Sequence, residues 1–567
     1  VVTNNVEIKK SENAGYGIFT TRSIKDTTEP LVFIPKKLLI TVTRLLTDVI
    51  NFEGYELLLT AYETIFNQVG NNINESVITS TSITNTTLKQ SLQESKNEKL
   101  CLRLFLAFEL YQSRQQQQQQ LPRFWKPYID VLPSLSFFQQ HHVLFLQPDK
   151  TENPLFALLE GTSLASSIQA KQSKLTKEWN HLHQTYSSQV TWLKDLTMED
   201  WFYIDALFWS RVVSLGSRKE TDQDDDDDDH GEDLALIPYF DFANHQMIPN
   251  IRWRLIDDDN ETDEKKKKEH GLQLISFINE DQDDDNGDIK KDTILEANQE
   301  LCLSYGNKPN QELLFLHGFC LPDNPVTNQI TLSFFPFLNP AMQDEESVLK
   351  WKWLQQQPSF KPLLIIHYTS PLQQQKPSFP TIDMFKETGF TFESICMMYL
   401  VALDQDDGLI LEEEKEKGKE NITEEIQKLS LEATNHTTVQ LYFTGDDGVE
   451  KKENIITFEH LYHKVLSLPH ADVIQLRVVT LIMNAIQYHL QQIEENDYLL
   501  ESGIIDEDVE AALRESPLFI PIQTYRDEER SSLQRSLDAL SNLSDTLMQS
   551  ETVLEYLDYM NSMENDE

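Results

Sequence analysis

The chain has 567 residues, a formal net charge of −45 and 39% hydrophobic residues. That length exceeds one compact core and predicts two or three domains, while the acidity argues against attraction to nucleic-acid phosphates and favours a basic protein partner. No apolar run reaches the roughly 18 residues of a membrane span, and the cysteines (Cys101, Cys302, Cys320 and Cys396) form no CxxC pair, which argues against a zinc cluster or a disulfide framework.

Residues 6 to 43 read as short strands broken by glycines. Ala14-Gly15-Tyr16-Gly17-Ile18-Phe19 forms a tight turn into a strand, and Leu31-Val32-Phe33-Ile34-Pro35 a second strand. The Ser/Thr/Asn-rich stretch 70 to 96 lacks periodicity and reads as a loop. Glu98 to Tyr111 then places Leu100, Leu104, Phe105, Phe108 and Tyr111 on one helical face. A glutamine tract, Gln115 to Gln120, precedes the aromatic-proline cluster Arg123-Phe124-Trp125-Lys126-Pro127-Tyr128-Ile129 with Leu132-Pro133. Helical pattern resumes near Leu175 and continues to about Leu215. Three charged runs, Asp222 to Asp229, Asp257 to Lys268 and Asp281 to Asp288, read as solvated loops because such blocks bury no apolar surface. From about 326 the pattern turns helical, notably over Ile382 to Asp404, Phe458 to Ser467 and Ala471 to Ile493. Residues 405 to 430 read as an acidic, mobile stretch, and Pro517 to Ile522 introduces a final helix.

Two segments carry the chemistry. Ile237-Pro238-Tyr239-Phe240-Asp241-Phe242-Ala243-Asn244-His245 reads as an apolar strand ending in Asn-His. Glu300-Leu301-Cys302-Leu303-Ser304-Tyr305-Gly306 reads as a strand ending in Ser-Tyr-Gly, followed by Asn310 and His317-Gly318-Phe319. Taken singly, an Asn-His pair caps or turns the chain and a tyrosine ends a strand. Together, in this order, they resemble the SET methyltransferases, in the branch of the RuBisCO large-subunit methyltransferase. The Trp125-x-Pro127-Tyr128-Ile129-x-x-Leu132-Pro133 segment is similar to that branch's helical insert.

The resemblance implies an α+β fold: a SET domain of short strands with a pseudoknot and a helical insert, followed by an all-α domain. It implies a catalytic domain over 1–325, with the insert at 97–215 and charged loops at 222–233, 257–268 and 281–288, then a helical substrate-binding domain over 326–567. It further implies methyl transfer from S-adenosyl-L-methionine to a lysine of a non-histone protein, by a monomer that binds no nucleic acid or membrane. The alternatives are a histidine acceptor, or an inactive interaction module. The compartment expected is cytoplasmic or nuclear, with a plastid kept open because the chain starts at Val1. By the same resemblance Tyr305 is catalytic, and Gly15, Tyr16, Asn244, His245, His317 and Phe319 hold the cofactor. Ser210, Arg211 and Asp241 hold the substrate. Arg211 favours lysine, since the histidine-methylating relatives resemble one another in an asparagine there. Ala14 stands where the RuBisCO enzyme has an acidic residue, and His317 where tyrosine is common.

Overall fold

The structure is a computed structural model that describes residues 1–11, 15–25, 30–48, 54–69, 95–115, 123–148, 154–216, 234–256, 270–276, 295–326, 328–339, 344–368, 382–414, 436–444, 450–501, 503 and 505–564. Ala14, most of the glutamine tract and the three charged runs lie outside these residues. The chain forms two units. The first comprises Val1–Leu146, Ile168–Lys308 and Phe315–Gly318, and the second Gln147–Ser167, Pro309–Leu314 and Phe319–Glu567.

In the first unit, eleven short strands of the described residues make three sheets. One joins β1 (Val2–Thr3), β4 (Val32–Pro35), β10 (Gly271–Ser276) and β9 (Ile251–Ile256) in that order. A second runs β2 (Val6–Lys10), β3 (Tyr16–Thr20), β11 (Glu300–Leu303) and β8 (Asn244–His245). The third is β5 (Ile40–Thr41), β7 (Leu234–Leu236) and β6 (Val212–Ser214). Their shared core is built from alternating apolar positions such as Ile18, Ile34, Leu272 and Leu301, all fully buried.

The helical insert has its own core. In the helix Ser95–Arg114, Leu104, Phe105 and Phe108 are buried as the periodicity predicts, and Leu100 and Tyr111 pack at its margin. Trp125 stands edge-on to Phe105 at 5.5 Å, and its indole donates to Leu38 O at 3.2 Å, so the aromatic-proline cluster is pinned to the strand region. Beneath it Glu109 is completely buried, paired with Arg123 and accepting from Tyr55 Oη at 2.6 Å. The helix Met198–Trp209 starts at a capping box between Thr197 and Asp200.

Four expectations are corrected. The apolar stretch into Asn-His is not one strand: β7 stops at Leu236, Tyr239 takes a positive φ of 76°, and a short 3-10 turn covers Phe240–Phe242 before β8. Pro238 has no N–H for the ladder, so pairing ends there. The helical pattern to Leu215 ends at Trp209, since Val212–Ser214 is the strand β6 paired with β7. The C-terminal half is not wholly helical: β12 (Asn328–Ser333) pairs with β13 (Leu363–Tyr368), and β14 (Leu409–Glu414), β15 (His436–Thr444) and β16 (Glu450–Ile455) form a sheet. Ile330 and Leu332, then Val439 and Leu441, are buried two apart, a period-2 signal hidden among long helical patterns.

The second unit is otherwise helical, led by Ala471–Glu494 and Phe519–Leu547. The single helix expected over 382–404 is split at Gly389, whose φ is 78° and where a Cβ would lie 2.6 Å from His367 O. Among the described residues, no helix is long and apolar enough to cross a membrane.

Candidate active site

The two signature segments meet in one ladder. β11 pairs antiparallel with β3, Glu300 facing Phe19, and parallel with β8, so that Cys302 faces Asn244 and Leu303 faces His245. Asn250 locks this edge by donating to Glu300 O at 2.7 Å and accepting from Cys302 N at 2.8 Å. The parallel register delivers Tyr305 beside His245, whose Nδ1 accepts the Tyr305 amide at 3.0 Å. The rings lie 5.0 Å apart, and His317 packs against Tyr305 at 5.1 Å. Tyr305 Oη donates to Ala243 O at 3.0 Å, so the phenol is fixed at both ends and keeps acceptor capacity on its oxygen.

Burial sets the protonation states. It raises the Tyr305 pKa well above that of a free phenol, with Arg211 opposing and Asp241 reinforcing the shift, so the hydroxyl stays protonated. Burial also brings His317 down to about 3, aided by the neighbouring His142, and lowers His245. All three groups beside Tyr305 and at it are therefore neutral near pH 7.

Asp241 is turned inward by the Phe240–Phe242 turn. Its Oδ2 accepts from Tyr128 Oη at 2.9 Å and from Arg211 Nη1 at 2.5 Å. Its carboxylate is only 3% exposed, yet Oδ1 has no hydrogen-bond partner, and Arg211 Nε has none either. Ser210, at the C-terminus of the helix Met198–Trp209, spends its hydroxyl on Leu207 O at 3.1 Å, while its backbone hydrogen-bonds His317.

Gly15 and Tyr16 stand beside Asn244 through backbone: Gly15 O accepts from Ser11 N at 3.1 Å, and Tyr16 O accepts from Asn244 Nδ2 at 3.3 Å. The Tyr16 side chain is 61% exposed. Phe319 belongs to the second unit, whereas the other proposed site residues belong to the first. Sequence reasoning missed Glu300, which accepts from Asn244 Nδ2 at 2.6 Å and from Ser11 Oγ at 2.8 Å, and it missed Asn250. An acid opening a strand beside an expected ligand pocket was the available signal for the former. It also missed a cavity of about 620 Å³ whose apolar wall includes Leu38, Phe124, Trp125, Tyr128, Tyr239 and Phe242. Tyr128 thus borders both this cavity and Asp241.

Short strands in small sheets, a helical insert, and a parallel pairing of the Asn-His and Glu-Leu-Cys-Leu segments define the fold as that of a SET domain of the LSMT-like kind. The comparisons agree. The SET domain of LSMT bound to lysine and AdoHcy aligns with a TM-score of 0.54 and 14% identity, covering 97% of this chain and 90% of that one. Rubisco LSMT bound to AdoMet aligns at 0.52 and 15%, with the same coverage. No family model matches the chain. Two proteins of Schizosaccharomyces pombe are similar in sequence: SET domain-containing protein 8, 28% identical over 174 residues (30% of each chain), and Ribosomal lysine N-methyltransferase set10, 28% identical over 258 residues. The latter match covers 45% of this chain and 38% of the relative, so the matched regions span well under half of either curated protein.

Proposed function

We propose that the chain is an S-adenosylmethionine-dependent methyltransferase acting on a lysine of a non-histone protein. The observation that carries this reading is the β8–β11 register, which sets a protonated Tyr305 against His245 and beside the Asp241–Arg211 pair. Both similar LSMT structures hold ligands of this class, AdoHcy or AdoMet, and one also holds lysine.

When bound, S-adenosylmethionine supplies a methyl carbon activated by a cationic sulfonium. The residues present fit such a ligand, because His245 and His317 are held neutral and add no positive charge beside Tyr305. Arg211, whose charge acts on Tyr305, is already paired with Asp241. Asn244, Gly15 and Tyr16 would hold the cofactor beside β3 and β8.

The acceptor must present a lone pair, although lysine in water has a pKa of about 10.4. Apolar walls such as those of the aromatic cavity disfavour the ammonium form. Tyr305, already donating to Ala243 O, can accept an N–H of the amine and aim its lone pair. Ser210, Arg211 and Asp241 would position the lysine-bearing segment. In-line alignment supplies the rate, with the chain orienting reactants and excluding water.

The test is transfer of label from isotopically labelled S-adenosylmethionine to proteins of a cell extract, with mass spectrometry of the product. Label on a lysine nitrogen is expected; label on imidazole, or cofactor binding without transfer, would overturn the assignment.

A further inference from the structure

Tyr128 enters the functional reading only as part of the aromatic cavity wall, yet its hydroxyl also bonds Asp241. An isolated Asp–Arg pair closes into a two-point fork, with both carboxylate oxygens on guanidinium N–H groups. Here the pair is joined at one point, Oδ2 to Nη1, and Oδ1 remains without a partner inside a side chain that is 3% exposed. The extra contact on Oδ2 is the Tyr128 hydroxyl at 2.9 Å, arriving from the short helix Lys126–Ile129. Tyr128 is itself 7% exposed and rests in the insert core, so its hydroxyl is a fixed donor. A buried acceptor without a partner is costly, and a carboxylate free to rotate would satisfy it on Arg211.

We propose that Tyr128 is a positioning residue that holds the Asp241–Arg211 pair open, so that Asp241 Oδ1 remains available to an N–H donor of the lysine-bearing segment. The inference rests on the reading of Asp241 as a substrate-holding group. It assigns to Tyr128 a role separate from packing: the ring fills space, and the hydroxyl sets the rotation of the carboxylate. The ligand chemistry is a peptide or amine N–H, which a buried carboxylate carrying one compensating cation accepts at its second oxygen.

Tyr128→Phe removes the hydroxyl and keeps the ring. A crystal structure of this variant should show both Asp241 oxygens on Arg211; an unchanged one-point pair with Oδ1 still open would overturn the proposal. Binding of Nα-acetyl-L-lysine methylamide, measured by saturation-transfer NMR in the presence of S-adenosylhomocysteine, should weaken about tenfold or more, the scale of a hydrogen bond to a charged group. The melting temperature and the S-adenosylhomocysteine affinity should stay as in the unaltered protein, and equal binding of the lysine probe would overturn the proposal. Lysine cannot form the fork. Adding Tyr128→Phe to Arg211→Lys should therefore change probe binding by less than about twofold; a further tenfold loss would mean that the hydroxyl acts in some other way. If S-adenosylhomocysteine binds neither protein, the methyltransferase reading fails, while the crystallographic arrangement of Asp241 still decides the role of Tyr128.

Discussion

Glu300 Oε1 accepts the side-chain amide of Asn244 at 2.6 Å, and the absence of a side chain at Gly17 makes room for that bond. A Cβ on Gly17 would lie 2.3 Å from Glu300 Oε1 and 3.0 Å from Asn244 Nδ2. Ser11 holds the other Glu300 oxygen, so the carboxylate is tethered from both sides and has little freedom to retreat. Gly17→Ala should therefore rotate Asn244 and weaken S-adenosylmethionine binding by about tenfold, the scale of one charge-assisted hydrogen bond. Isothermal calorimetry reads this directly, and unchanged affinity would show that the orientation of Asn244 is immaterial.

Tyr305→Phe should lower the methyl-transfer rate on the order of a hundredfold, as loss of a single preorganised hydrogen bond at a reacting centre does. The ring contacts with His245 and His317 persist, so cofactor affinity should change little. Single-turnover transfer with saturating cofactor separates the two effects. Full turnover would place the acceptor elsewhere.

The histidines make a pH prediction. Burial holds His317 at about 3 and His142 at about 4, against 6.5 for the free side chain. The unfolded state then takes up protons that the folded state refuses, so the stabilisation is complete above pH 6.5 and is lost progressively as pH falls towards the folded values. Between pH 7 and pH 5 each histidine should cost about 2 kcal/mol, visible as a lower urea midpoint. His317→Gln should flatten part of this slope; an unchanged slope would mean that the imidazole takes up its proton alike in the folded and unfolded states.

Glu109 is completely buried, and burial raises its pKa while Arg123 opposes the rise. Removing only the cation leaves a stranded carboxyl group, so Arg123→Leu should destabilise the first unit by about 3–5 kcal/mol. Adding Glu109→Leu should recover much of the loss. Chemical denaturation of the single and double variants checks this, and additive losses would mean that the pair is not coupled.

Gly318 takes a φ of 79°, and a Cβ there would lie 2.1 Å from His141 O, a backbone atom. Neither strain nor overlap can be relieved by a side-chain rotation. Gly318→Ala should therefore cost at least about 1–3 kcal/mol and displace His317 from Tyr305. A shifted melting temperature with reduced cofactor binding is expected, and a neutral outcome would refute the close approach.

Part of the candidate site's layout was legible in two short runs, since pairing sets Asn244-His245 beside Cys302-Leu303, which leads into Tyr305. The strands over 16–20 and 32–35 and the helix around Phe105 followed from plain periodicity. What remained hidden depends on long-range geometry. Neither the inward turn of Asp241 at Pro238–Tyr239 nor its bond to Tyr128, 113 positions earlier, leaves a local pattern. The strands of the second unit were lost because short alternations such as Ile330-x-Leu332 and Val439-x-Leu441 stand beside far longer helical repeats.

The pairing of Glu300 with Phe19 joins residues from opposite ends of the first unit and closes the site in one step. During synthesis the apolar core of the helical insert, whose members run from Ile40 to Leu236, leaves the ribosome before that central strand. The pocket must therefore assemble late. A nascent chain released before Tyr305 would carry a nearly complete insert, with the hydrogen-bonding edge of β3 left bare and prone to aggregation.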